Sequence, residues 1–210
     1  MYVPKHFEMR DQQVEELLTH HGAGELVTFS ADVGLSATLL PFVYEPAKDG
    51  FGSLHGHLAR NNEQWRHEAV GEALVLLRGP DRYITPTWYA AKREHGRVVP
   101  TWNYETAHVF GQLVVRDDRE YVRHVVELLT QKHEAGRDPA WAVTDAPLDF
   151  IEAQLRAIVG VELVITRIEA KAKLSQNRSA ADVQGVRQGL VADGQVAMVR
   201  AIEREEHNRS

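Results

Sequence analysis

Gly56-His57-Leu58-Ala59-Arg60-Asn61-Asn62-Glu63-Gln64-Trp65 is the stretch on which the fold turns. The run leading into it, Ser53-Leu54-His55-Gly56-His57-Leu58-Ala59, alternates as a strand does, then passes abruptly into Arg60, Asn61, Asn62, Glu63, Gln64 and Trp65. That change of period predicts a strand handing over to a short helix. An amide cap, either Asn61 ahead of Gln64 or Asn62 ahead of Arg66, leaves N–H groups and a positive dipole end at the corner, which together suit an anion. Arg60 adds a planar cation whose fork matches phosphate oxygens. The plainer alternative is a capped helix beside a surface arginine.

On the N-terminal side, Leu26 to Ala31 and Leu35 to Tyr44 read as strands joined by Asp32-Val33-Gly34, a hairpin connection. Pro41 lies inside the second strand and has no N–H to give a ladder, so it marks a sheet edge, a bulge or a break. Before them, Asp11 to His21 places Val14, Leu17 and Leu18 at helical spacing, with Gly22 and Gly24 to stop it.

On the C-terminal side, Glu72 to Arg78 is an apolar run bounded by Gly71 and Gly79-Pro80, and Arg82 to Tyr89 is a further β-branched and aromatic segment. Lys92 to Arg97 is a charged turn, and Val98 to Val115 is one bent strand or two short ones. Helical spacing returns in Asp118 to Ala135 through Val122, Val125, Val126 and Leu129. It returns again through Leu148, Ile151, Leu155 and Ile158, behind a cap at Asp145-Ala146-Pro147. Gly160 to Ala172 alternates as a last strand. Ser179 with Asp182 predicts a capping box for a helix carrying Val183, Val186 and Leu190, and a final helix follows Asp193-Gly194. Strand after strand at short spacing predicts an α+β, mainly β protein: an antiparallel barrel with flanking helices rather than βαβ units.

A chain of 210 residues, 43% hydrophobic and 26% charged, buries a full core without staples. The absence of cysteine excludes disulfides, thiolate metal sites and cysteine nucleophiles. A net charge of −6, from 24 basic against 30 acidic residues, argues against unaided nucleic-acid binding. No run approaches the ~20 apolar residues of a membrane span, so a soluble, cytoplasmic protein with no membrane partner is expected. His55 and His57 share one strand face, a spacing metal sites use, but no third ligand is evident and no metal site is assigned. No acid/base or nucleophile motif is present, so no catalytic residue is named and enzymatic activity is left open.

Five separated pieces taken together resemble one family. They are Met1-Tyr2-Val3-Pro4 with Phe7; the stretch Gly56 to Trp65; Tyr83-Ile84-Thr85-Pro86-Thr87-Trp88-Tyr89; Val99-Pro100-Thr101-Trp102-Asn103-Tyr104; and Lys173-Leu174-Ser175-Gln176-Asn177-Arg178. In this order they look like the PaiB-type, FMN-binding negative transcriptional regulators of bacteria, over Met1 to about Leu190. The resemblance implies an FMN-binding split barrel related to pyridoxamine-phosphate oxidase-like proteins, working as a homodimer with the flavin site at the interface. It implies DNA as a further partner, although Arg178 to Ser210 holds five Arg and no Lys against two Asp and three Glu.

It also implies a division of labour among residues. His57, Arg60, Asn61 and Asn62 would hold the phosphate. Thr38, Leu39, Leu40 and Pro41 would run along the ring, and Lys173, Ser175 and Gln176 would reach in from the partner subunit. Trp65, Trp88 and Trp102 are candidates for the ring's flat wall, Trp102 being carried among the cofactor-binding residues. Residues 1–175 would form the barrel domain and 176–210 a helical extension packed on it or on the dimer partner. Glu63 stands where the family usually has Pro, and Thr85 and Thr87 where Ser is common; Glu63 brings a negative charge close to the expected phosphate. A flavin-dependent oxidoreductase, of the flavin reductase or pyridoxamine-phosphate oxidase kind, is the alternative reading. A haem-binding split-barrel protein is another.

Overall fold

The computed structural model describes residues 1–207. They group into two compact units: Met1–Val14 with Arg78–Ala107 and Glu169 onward, and Glu15–Leu77 with His108–Ile168. In chain order the elements are α1 (Asp11–His20), β1 (Ala23–Ser30), β2 (Gly34–Pro41), β3 (Val43–Glu45), β4 (Ser53–Ala59), β5 (Ala73–Ile84), α2 (Ala91–Glu94), β6 (Thr101–Arg116), α3 (Arg119–Glu134), α4 (Leu148–Arg156), β7 (Ile158–Lys173), α5 (Ala180–Ala192) and α6 (Val196–His207). Short 3-10 turns lie at Glu63–Arg66 and Pro86–Trp88. Helices α5 and α6, expected as an extension, group with the first unit.

The strands form one seven-stranded sheet in the order β2-β1-β5-β6-β7-β4-β3. Its two ends are β2 and β3, which only Phe42 separates in sequence. The sheet therefore curls until one continuous segment serves both edges, and it is not closed by pairing between them, the architecture of a split barrel. Pro41 sits where its missing N–H predicts, at the break. The turn costs little because Phe42 is fully buried and the Lys132 ammonium donates to its carbonyl oxygen at 2.9 Å.

In the second unit the interior is built by alternation: Leu26, Leu54, Leu58, Val75, Leu77, Val159, Val161 and Leu163 are all 1% exposed or less. Helix α3 is capped by Asp118, whose carboxylate accepts from the Tyr121 N–H at 2.7 Å. It packs Val122 against Val143, Ile151 and Leu155. In the first unit, Val186 and Leu190 of α5 are buried, as are Met198 and Ile202 of α6.

Three expectations are corrected. Gly79-Pro80 does not separate two segments but lies inside the single strand β5. Pairing with β1 ends at Gly24↔Leu77, so on that side Pro80 lies beyond the ladder, where no donor is required. Asp145 caps the 3-10 turn before α4, accepting from the Ala142 N–H at 2.8 Å, and Pro147 itself occupies the position ahead of α4. Asp182 does not complete a capping box. Ser179 accepts from the Asp182 N–H at 3.2 Å, while the Asp182 carboxylate turns to the Ala91 N–H at 2.9 Å and caps α2 instead.

Candidate functional site

Strand β4 carries the Gly56 to Ala59 segment antiparallel to β7, with Gly56 opposite Val161 and His57 opposite Gly160. A Cβ at Gly56 would lie 3.0 Å from the Phe42 ring, so glycine here makes room for the hinge residue. His55 is a bridge: its Nδ1 lies 2.8 Å from the Tyr121 hydroxyl and its Nε2 3.0 Å from Glu45. Burial lowers its pKa, with Glu45 and Glu162 pulling the other way. His57 differs. Its Nδ1 is buried without a hydrogen-bond partner, and burial lowers its pKa, which leaves a neutral imidazole at neutral pH.

The corner after β4 is the predicted strand-to-helix junction, and its cap is Asn62, whose Oδ1 accepts from the Gln64 N–H at 2.9 Å. Asn62 Nδ2 donates to Thr38 Oγ1 at 2.9 Å, and Thr38 donates to Gln64 Oε1 at 2.6 Å. The Gln64 amide then donates to Leu26 O and Thr28 Oγ1, both at 3.1 Å. Thr38 is thus tied to the corner, although 24 residues separate it from Asn62. Gln64, which the sequence treats as an ordinary polar residue, is 5% exposed and stitches β1 and β2 to the corner. A glutamine flanked by Asn, Glu and Trp carries no periodic signal that would reveal this.

Arg60 is engaged on every side. Its Nε donates to Arg156 O at 2.8 Å and its Nη2 to Ile158 O at 3.0 Å. Nη1 and Nη2 together grip both oxygens of Asp117, at 3.0 and 2.6 Å. The hydrogen bond from Arg60 holds the Asp117 carboxyl below its usual range. Of the five guanidinium hydrogens, one on Nη1 is left. Asn61 is exposed and its side-chain amide makes no hydrogen bond.

Pro41 and His57 meet at a cavity of about 290 Å³, walled by Val126, Leu129, Thr130, His133 and Glu134 of α3 and by Trp141. Of the other β2 candidates, Leu40 is buried and Leu39 is 67% exposed. Trp141 and the α3 face were not identified from sequence: Trp141 lies in a polar segment without period, and the α3 residues read there only as a helix's packing face.

In the first unit, Trp102 is 49% exposed, donates to Asp81 at 2.8 Å and meets Tyr83 edge-on with centroids 6.2 Å apart. Lys173 donates to the Thr101 hydroxyl. Ser175, at φ 68°, is buried and exchanges hydrogen bonds with Asn103 at 3.0 and 3.2 Å. Gln176 folds back, accepting from the Leu174 N–H and donating to Ala172 O, both at 2.6 Å. Of the other tryptophans, Trp65 donates to Arg60 O at 3.1 Å and steadies the corner. Trp88 packs on α5.

A flavin needs a flat apolar wall, polar partners for its ring and an anion cradle. The Pro41–His57–Trp141 cavity has the character of the first, while the unpartnered His57 Nδ1 is itself buried. At the corner the Asn61 amide and one Nη1 hydrogen of Arg60 are uncommitted, while Asp117, Arg156 O and Ile158 O hold the rest of the guanidinium. Among the described residues no group of three His, Asp or Glu is placed to hold a metal. Nor is any helix long and apolar enough to cross a membrane.

Residues 1–167 match the profile of the family described as "Putative FMN-binding domain". The chain is 33% identical over 188 residues to "Protease synthase and sporulation protein PAI 2" of Bacillus subtilis, covering 89% of this chain and 87% of the relative. Among solved structures, the "conserved hypothetical protein Rv2991" of Mycobacterium tuberculosis superposes with a TM-score of 0.58 at 12% identity, over 85% of this chain and 94% of that one. The "FAD and Heme binding protein" of Mycobacterium smegmatis does so with a TM-score of 0.55 at 18% identity, over 78% and 71%. At such identities these two speak for the fold. The profile match and the Bacillus relative speak for more: the chain belongs to the FMN-binding domain family.

Proposed function

We propose that the protein is a cytoplasmic, homodimeric FMN-binding regulator of the PaiB type, with its ring site at the Pro41–His57 cavity and its phosphate seat at the Arg60–Asn62 corner. When bound, FMN supplies redox chemistry at its ring. The chain's own part is to bind and orient: the apolar cavity walls take the ring, and the corner donors take the anionic tail. Thr38, Leu39 and Leu40 belong to the strand that frames the ring. Trp102, Lys173, Ser175 and Gln176 are proposed to complete the site across the dimer. The observation that carries this reading is family membership together with a cavity walled by Pro41, His57, the α3 face and Trp141.

The test is the absorbance spectrum of the purified protein, followed by FMN titration. Arg60→Ala should raise the Kd for FMN about tenfold or more, and Asp117→Ala should lower it by freeing both Nη1 hydrogens and one of Nη2. Unchanged affinity in both variants would return Arg60 to a strut between β4 and β7.

The regulatory effect is proposed not to run through α5 and α6. Arg187 is paired with Glu203 and Glu206, Arg204 with Glu105, and Arg178 lies 4.6 Å over the Tyr89 ring, so these cations are already committed. A gel shift at low salt, with and without FMN, checks this. A shift abolished by reversing charges on α6 would reject it.

A further inference from the structure

A second cleft, in the first unit, shares no residue with the His57 cavity. It measures about 470 Å³ and lies between the Thr87–Arg93 segment and one face of α5. Its shape depends on two glycines one helical turn apart. A Cβ at Gly185 would fall 2.0 Å from the Trp88 carbonyl oxygen, and one at Gly189 would fall 2.3 Å from the indole ring. The Trp88 indole therefore rests directly on the helix backbone and forms a flat wall of the cleft.

The polar lining is one-sided. Arg93, Gln184 and Gln188 line the cleft, and the side chains of all three make no hydrogen bond or ion pair. Tyr89 lines it too. It is 1% exposed, the Arg178 guanidinium covers its ring, and its buried hydroxyl has no acceptor for its proton. Among the described residues no carboxylate lines the cleft, and the nearby Asp182 is spent on capping α2. A planar guanidinium and two carboxamides offer donors with no protein acceptor, beside an aromatic wall. That set is complementary to an oxyanion carried on a flat body.

We propose that this cleft binds a small aromatic or otherwise planar carboxylate, with its carboxylate on Arg93 and its ring on Trp88, independently of flavin. Gln184 and Gln188 supply the remaining donors. Nothing in this proposal requires the corner at Arg60, so the two sites stand or fall separately.

The test is calorimetric titration of the full chain with benzoate, inorganic phosphate and benzyl alcohol. Benzoate should bind, benzyl alcohol should not compete with it, and phosphate should bind more weakly because it lacks the flat body. Arg93→Gln, at an exposed position on α2, should weaken benzoate about tenfold or more while leaving thermal stability and FMN titration unchanged. Gln184→Ala with Gln188→Ala should weaken it further. Absence of benzoate binding at millimolar concentration overturns the proposal, as does equal affinity in Arg93→Gln. Phosphate binding as tightly as benzoate overturns the planar-body assignment.

Discussion

Phe42→Ala should lower the free energy of unfolding by about 3–5 kcal/mol, the range for truncating a fully buried aromatic where the surroundings collapse poorly. Phe42 is 0% exposed, and its ring lies against Gly56, where even a methyl group would press at 3.0 Å. The void cannot fill from that side because Gly56 has no side chain to move into it. Phe42 also connects β2 to β3, the two ends of the sheet order, and its carbonyl holds Lys132. Urea denaturation followed by circular dichroism measures the loss. Leu39→Ala, four positions away from β3 and 67% exposed, is the control and should stay within about 0.5 kcal/mol of the native chain. Equal costs at the two positions would show that the hinge carries no special weight.

Acid should destabilise the fold through His21. This residue is 4% exposed, its Nδ1 lies 2.6 Å from Leu18 O, and burial, assisted by the Lys132 charge, lowers its pKa to about 4. The folded form therefore binds its proton more weakly than the unfolded chain, whose histidines titrate near 6.5. The stabilisation is fully present above about 6.5 and is lost as pH falls towards 4, because the unfolded state takes up the proton first. The shift corresponds to roughly 3 kcal/mol. His21→Gln, which keeps a donor for Leu18 O, should flatten the profile between pH 7 and pH 4 by about that amount. A variant as acid-sensitive as the native chain would move the burden to other groups.

The sequence announces most of the frame. Alternation in Ser53 to Ala59 and Gly160 to Ala172 marks half-buried strands because side chains there point to opposite faces, and the structure pairs those two runs. The Pro41 break, the helix start at Asp118 and the Ser179 cap are likewise local chemistry, legible from a few neighbouring residues. Gly79-Pro80 misleads because a proline is excluded from a strand only where a partner needs its N–H, and partnership is not a local property. The same holds at the candidate site. Arg60 and Asn62 are visible as a cation and an amide, whereas their partners Asp117, Arg156, Ile158 and Thr38 lie 24 to 98 positions away. His57 is visible as an imidazole on a strand, but its lack of a partner is a fact of packing. The glycines of α5 carry no signal in the sequence, and only their closeness to Trp88 explains them.

Because a single residue separates the strand at one margin of the sheet from the strand at the other, both margins share one point of failure. Unseating Phe42 would expose two unpaired backbone edges at once, each a template for another chain. Aggregation, rather than orderly refolding, should then be the fate of heated protein, and additives that block intermolecular strand pairing should preserve it better than those that merely slow unfolding.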